Sequence, residues 1–248
     1  AATPGGDIVE LGGGSGRLAA DLLLTLGESG AAPSSYRIVE VSPELRERQQ
    51  ATIAREAPAL VATVEWLDSL PSAIAGVAVM NEVLDAIPPH LIVRRGNAWL
   101  ERGVTIDAAG ALQWAERALG DPQLRALAER RFPEAEDYLS EVNPAAEALV
   151  EDVGTRLTAG ALLVIDYGFP RAEFYHPQRF QGTLMGHYRH RAHADPFLWP
   201  GLSDLTSHVD FTAVAEAGVR AELEVAGFTS QAAFLLGCGL LDRLAESG

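Results

Sequence analysis

Apolar positions along the chain fall into two patterns. Short, nearly continuous apolar blocks stand at 7–11, 36–41, 61–66, 76–81 and 161–166, and they read as strands buried on both faces. Apolar residues at three- and four-residue spacing cover 16–27, 43–56, 121–131 and 144–158, and they read as helices facing a core. Strands alternating with helices predict an α/β fold around a mostly parallel sheet. Ser42-Pro43 and Asn143-Pro144 each set a capping side chain before a proline, so both mark helix starts. Glu44 favours the dipole of the first of these helices, and Gly160 is expected to close the second.

Two stretches break the alternation. Residues 91–118 carry turn signals at Arg95-Gly96-Asn97 and Asp107-Ala108-Ala109-Gly110, which predict a small β-meander inserted after the fourth strand. Residues 168–210 are rich in proline, histidine, glycine and aromatics, with little periodicity. A loop of that length after strand five is expected to be functional. Residues 1–248 are thus expected to form one domain with insertions at about 91–118 and 168–210.

Composition narrows the classes of partner. With 48% apolar and 21% charged residues the chain reads as globular. No apolar run reaches the roughly 18 residues that span a bilayer, so no membrane insertion is expected. A net charge of −15 argues against nucleic acid and permits a cationic substrate. All 19 basic residues are arginine, which points to GC-rich coding in a bacterium; Ala1 in place of Met points to a trimmed start. Cys238 is the single cysteine, which fits a reducing, cytoplasmic setting, and in "AAFLLGCGLL" it reads as a buried small hydrophobe.

The stretch "IVELGGGSGRLAADLL", residues 8–23, joins a strand to a helix through a glycine loop. Such a loop lets backbone approach a nucleotide-like ligand; the ligand-free alternative is a tight turn. The dinucleotide pattern G-x-G-x-x-G fails, because counting from Gly12 it meets Arg17 where a small residue is required. The spacing Glu10, Gly12, Gly14, Gly16 resembles the first motif of class I S-adenosylmethionine-dependent methyltransferases. The resemblance implies a Rossmann-like, doubly wound sheet and S-adenosyl-L-methionine as cofactor, its cationic ammonium attracted by Glu10. It also implies that Glu40, at the end of strand 36–41, accepts the ribose hydroxyls. Asp68 in "VEWLDSLP" is expected near the adenine, with Trp66 or Leu67 as alternatives, and Ser42 and Asn81 complete the cofactor set.

Four further motifs occur in order: "VEVSPELRERQ" at 39–49, "NEVLDAIP" at 81–88, "VIDYG" at 164–168 and "PGLSDLTSHVDF" at 200–211. Together they resemble the MidA-like family, whose mitochondrial members are complex I assembly factors that methylate arginine. The resemblance implies methyl transfer to a protein arginine, with a respiratory complex subunit as the type of acceptor. Members of that family are longer at both ends, and an N-terminal helical segment and closing C-terminal strands are expected to be missing here. Ser15 stands where that family's loop carries arginine.

A guanidinium is a poor nucleophile because its lone pairs are delocalised, so its methylation calls for carboxylates that hold the outer nitrogens. Glu82, directly after strand four, is the first choice for that role, with Asp85 supporting it or capping the next turn. Asp166 is expected to hold a substrate nitrogen or a loop backbone, Tyr167 to orient the nucleophile, and His208 to serve the site. The spacing of His176, His187, His190, His193 and His208 fits neither a zinc finger nor H-E-x-x-H, so no metal is expected. Two other classes stay open: methylation of a small molecule or nucleobase, and a scaffold binding a partner through 91–118 and 168–210. Asn81 lacks the following Pro-Pro-Tyr that the nucleobase reading calls for.

Overall fold

The computed structural model describes residues 5–189 and 191–246; His190 and the first residues lie outside them. Its centre is a parallel sheet of β1 (Asp7–Leu11), β2 (Tyr36–Val39), β3 (Val64–Leu67), β4 (Ile74–Asn81) and, later in the chain, β9 (Leu157–Ile165). The strand order is β3-β2-β1-β4-β9, so the order reverses between β1 and β4. Helices α1 (Arg17–Glu28) and α2 (Pro43–Glu56) link the first three strands. Ala19, Ala20 and Leu23 of α1 and Ile53 of α2 bury one sheet face with Ile8, Ile38 and Val79. Val9, Leu11, Ala78 and Met80 face the other way. They pack on Ala146, Val150 and Val153 of α4 (Pro144–Arg156) and on Ala217 of a later helix. Alternating strand residues thus feed two cores, which makes the sheet doubly wound.

The expected meander is larger than its turn signals suggest. Strands β5 (His90–Arg95), β6 (Ala98–Ile106) and β7 (Leu112–Ala118) form it. After α3 (Pro122–Arg131), β8 (Asp137–Val142) returns to pair antiparallel with β5, giving the order β7-β6-β5-β8. Ile92, Leu124, Phe132, Tyr138 and Val142 build a core of its own. The buried pair Arg131–Glu147, 2.9 Å apart, ties this unit to α4.

Residues 168–210 are not a bare loop. They hold β10 (Gly168–Phe169), α5 (Arg171–Phe174), β11 (Met185–Tyr188), β12 (Arg191–His193), β13 (Asp204–Thr206) and β14 (Val209–Asp210). Strands β12-β11-β13 make a small antiparallel sheet, and β10 pairs β14. Helix α6 (Phe211–Arg220) follows, capped by Asp210, whose carboxylate also meets Arg171 at 3.2 Å. Helices α7 (Gln231–Gly237) and α8 (Leu240–Glu246) end the described chain. Cys238 between them is exposed, not buried as expected. Phe234, Leu236 and Leu241 beside it are likewise exposed, so this apolar run lacks a core to enter among the described residues.

Gly160 does not close α4. That helix ends at Arg156 and the chain turns directly into β9, where Gly160 pairs with Gly76 of β4. At φ +116, a Cβ on Gly160 would run into the carbonyl oxygen of Gly76. The glycine is there because two strand backbones approach too closely for any side chain. Gly160→Ala should therefore destabilise the fold by roughly 2 kcal/mol or more, read as a lower urea midpoint. An unchanged midpoint would show that the strands separate at no cost.

Candidate active site

The expected site residues gather at the carboxyl ends of the parallel strands, around the reversal of strand order. Open α/β sheets bind ligands in that crevice, because the two flanking loops diverge there. On the β1 side the loop runs through Gly12, Gly14 and Gly16 at φ 66°, 50° and 78°. A Cβ on Gly16 would lie 2.8 Å from the Cα of Gln49, and one on Gly13 would lie 2.8 Å from Ile38 Cγ2. Packing accounts for those two glycines. It does not account for Gly14, whose Cβ would meet nothing within 4 Å. That position opens on free space.

Helix α1 starts on Gly16 with no side-chain cap, whereas α2, α3, α4 and α6 start on Ser42, Asp121, Asn143 and Asp210, each of which caps. Its first-turn N–H groups remain available to an acceptor, as at helix N-termini that hold anions. Glu10 lies below the loop, 2% exposed, and accepts a 2.7 Å hydrogen bond from the buried Tyr36 hydroxyl. Burial pushes its carboxyl up from the usual range, and no cation pairs with it among the described residues.

Glu40 immediately follows β2 and is 7% exposed. Its Oε1 accepts the Ser42 N–H at 3.0 Å and its Oε2 accepts Gln49 Nε2 at 3.0 Å. Each oxygen keeps a further lone pair, so the carboxylate is aimed but not saturated. Gln49 also donates to the carbonyl of Gly14 at 3.3 Å and accepts the Trp66 indole N–H at 3.0 Å. One buried amide thus ties the glycine loop, Glu40 and Trp66 together. Asp68 is turned to solvent and held by Arg46 at 2.6 Å; Trp66 is the more enclosed of the two.

On the far side of the crevice stand the residues after β4 and β9. Gly12 approaches this half: a Cβ on it would lie 3.3 Å from Val83 Cγ2. Asn81 ends β4, and Glu82 adopts φ +53. A non-glycine residue in that left-handed region costs about 1–2 kcal/mol. The Glu82 N–H donates to the Ile165 carbonyl at 2.9 Å, and its Oε1 accepts the Tyr167 hydroxyl at 3.0 Å. Asp166 Oδ2 accepts the N–H groups of Leu84 and Asp85 at 2.9 and 3.2 Å. Its Oδ1 accepts the Tyr167 N–H at 2.8 Å, so the carboxylate spans both loops.

Asp85 starts no helix, since residues 82–87 are bends and one short turn, and its carboxylate is stabilised by the Ala86 N–H of that turn. It is buried, with Oδ1 unpartnered among the described residues. Burial first, then Asp166 and Glu82, push its carboxyl up to about 6. Its carbonyl accepts the Ser207 N–H at 3.0 Å, so the 200–211 motif packs behind the acidic loop. His208 follows Ser207 and shares a cavity with Leu84, the neighbour of Asp85. Its ring packs on Phe169 at 5.2 Å and lines an internal cavity of about 30 Å³ with Arg131, Glu141 and Tyr175. Burial holds it below the ordinary histidine range. Among the described residues no group of three or more histidine, cysteine or acidic side chains is placed to hold a metal.

Residues 1–229 match the family described as "Putative S-adenosyl-L-methionine-dependent methyltransferase". The chain belongs to this family. It is similar to a likely methyl transferase from Burkholderia thailandensis bound to S-adenosyl-homocysteine, 49% identical with a TM-score of 0.94, covering 99% of this chain and 63% of that one. This methyltransferase-family chain is also similar to "Protein arginine methyltransferase NDUFAF7, mitochondrial" of Mus musculus, 30% identical over 98% of its length. The Rattus norvegicus protein of the same name is 29% identical over 96%. The chain spans 58% and 57% of those two relatives.

Within the methyltransferase-family fold, sequence reading located both halves of the crevice but missed Gln49 and Tyr36. Gln49 sits in "RERQQ", where nothing distinguishes a fully buried glutamine from the exposed one beside it. Tyr36 starts a strand as an ordinary core aromatic, and only the fold sets its hydroxyl on Glu10.

Proposed function

We propose that the chain is an S-adenosylmethionine-dependent methyltransferase acting on arginine of a protein acceptor. The observation that carries this reading is the pairing, across one crevice, of an open glycine cradle with a cluster of three carboxylates. The cradle fits the cofactor. Gly14 leaves room, the uncapped start of α1 offers N–H donors to a carboxylate, and buried Glu10 offers negative charge near an ammonium. Glu40, with lone pairs to spare, accepts two ribose hydroxyls. When bound, the cofactor supplies a sulfonium methyl for in-line transfer to a nucleophile.

The chain's own work is positioning and electrostatics. Glu82 receives the guanidinium, held in one rotamer by the Tyr167 hydroxyl. Asp166 fixes the 82–85 backbone through two hydrogen bonds. Asp85 sets a second negative charge beneath Glu82, which draws positive charge to the outer nitrogens and leaves the attacking one richer in electrons. A net charge of −15 raises the local concentration of a basic acceptor. The arginine methyltransferase names of the rodent relatives support this choice of acceptor, and a respiratory complex subunit is the acceptor type we favour. We place the protein in the cytoplasm of a bacterium, from its single cysteine and its arginine-only basic set. No described helix is long and apolar enough to cross a membrane.

Titration calorimetry tests the cofactor half. S-adenosylmethionine should bind in the micromolar range, and Glu40→Ala should weaken it about tenfold or more, since bonds to a charged acceptor are each worth roughly 1.5–3 kcal/mol. Equal affinity in a folded Glu40→Ala variant would remove the ribose assignment. Labelled-methyl transfer into lysate proteins tests the acceptor half, and label found only on lysine or on small molecules would refute the arginine reading.

A further inference from the structure

The arm formed by β11, β12 and β13 carries a surface unlike the rest of the molecule. Residues 185–206 hold two arginines, two aspartates and no glutamate in a chain of net charge −15, and among the described residues no acidic one lines the cleft beside the arginines. Elsewhere arginines are mostly paired: Arg102 and Arg95 share Glu116, and Arg171 grips Glu216 with two nitrogens. Arg189 and Arg191 are exposed and make no ion pair or hydrogen bond through their guanidinium groups among the described residues. They flank an open cleft of about 580 Å³. Its wall is aromatic, with Tyr188 and Trp199 rings 4.6 Å apart and His193 edge-on to Trp199 at 6.3 Å.

Two residues of this cleft are held in the left-handed region, Arg189 at φ 47° and Trp199 at φ 53°. Backbone strain of that kind costs about 1–3 kcal/mol each and concentrates where a surface must present side chains in a fixed way. Trp199 is nonetheless 47% exposed, so burial in the protein's own core does not account for its placement. The arm is rooted at the active site. β13 runs through Thr206 to Ser207, whose N–H holds the carbonyl of Asp85. Its other side touches the meander, where Phe197 meets Trp114 at 4.9 Å.

We propose that this cleft docks an acidic, aromatic-bearing stretch of the protein acceptor, adjacent to the arginine that enters the crevice. Naming the docked protein as the acceptor rests on the methyl-transfer reading; the docking surface itself does not. Two guanidinium forks without an ion pair among the described residues, that of Arg189 lying over the Tyr188 ring at 5.3 Å, match carboxylates in geometry and charge. The Tyr188–Trp199 wall takes an apolar or aromatic side chain in the manner of interface anchors. The chain's overall negative charge repels an acidic segment everywhere else, so charge complementarity selects this place. Acidic stretch and target arginine are then sorted to opposite poles, Arg189/Arg191 and Glu82.

The probe is a fluorescein-labelled copolymer of glutamate and tyrosine, followed by anisotropy at low ionic strength. Wild type should bind it in the micromolar range, and added salt should weaken binding. The double variant Arg189→Gln/Arg191→Gln, and separately Trp199→Ala, should each weaken it about tenfold, while Glu82→Gln leaves it unchanged. Absence of binding to wild type, or equal affinity in both variants, overturns the proposal. A single-stranded oligonucleotide that displaces the copolymer and shows the same arginine dependence overturns the choice of a protein partner.

Labelled-methyl transfer into lysate proteins separates the two readings. The double variant should need about tenfold more lysate for half-maximal transfer and reach the same plateau, a KM effect without a kcat effect. Copolymer binding with the stated dependence, but no transfer by wild type, would uphold the docking surface and defeat the methyl-transfer reading. Normal half-saturation in a double variant that has lost copolymer binding would uphold methyl transfer and defeat the acceptor assignment.

Discussion

Glu82→Gln should lower methyl transfer by about two to three orders of magnitude while S-adenosylmethionine affinity changes only a few fold. The amide is nearly isosteric, and its carbonyl oxygen still accepts the Tyr167 hydroxyl that sets the rotamer. What it loses is the full negative charge opposite a guanidinium. The expected magnitude is that of removing one preorganised group at a site of developing charge, about 2.7–4 kcal/mol. Asp85→Asn tests the same cluster from below. Its carboxyl, raised to about 6, is still mostly ionised at neutral pH, so its loss should reduce transfer, though by less than that of Glu82. Single-turnover transfer into lysate proteins at saturating cofactor reads both. Full activity in folded Glu82→Gln would move the guanidinium contact to Tyr167 and Asp85.

Gly14→Val should abolish measurable cofactor binding, a loss of about a hundredfold or more, since the side chain fills space that the ligand needs. At φ +50 a β-branched residue is also strained, at a cost of about 1–2 kcal/mol. A matched control separates strain from obstruction. Gly30, just past the far end of α1 from the glycine loop, has φ +71 and a Cβ position with nothing within 4 Å. Gly30→Val should shift the melting temperature as Gly14→Val does, by about 2–8 °C, and bind cofactor normally. Loss of binding in both variants would attribute the effect to instability and withdraw the cradle.

The alternation of apolar blocks with helical spacing was enough to read the five parallel strands and the position of Glu10, Glu40 and Glu82 at their ends. Short-range patterning carries that much, because both faces of a central strand must be apolar. β8 was illegible for the opposite reason. Its "DYLSEV" includes buried Ser140 and Glu141, and besides the Ser140 hydroxyl the Glu141 carboxylate accepts the N–H groups of Thr183 and Leu184, distant in sequence. Strand 61–66 began too early because Pro58–Thr63 is as apolar as a strand yet winds into a 3₁₀ turn. Gly160 looked like a helix stop, since a glycine after a helical pattern usually is one; its true constraint is a backbone on the neighbouring strand. Nothing local marks Glu82 as left-handed either. That conformation follows from the Ile165 carbonyl and the Asp166 carboxylate, which arrive from another strand.

The contact of Trp114 with Phe197 bears on how the molecule comes together. The two aromatics belong to insertions carried in different gaps of the central sheet. They meet only after β9 has paired with β4, because that pairing brings the second arm alongside the first. Closing so long a loop costs chain entropy before any contact rewards it, so such pairings form late in folding. The glycine loop and Glu40 depend on β1 to β4, all of which precede both insertions. During synthesis the nascent chain would thus possess its glycine crevice well before the aromatic wall proposed as a docking surface, so ligand capacity would precede partner discrimination.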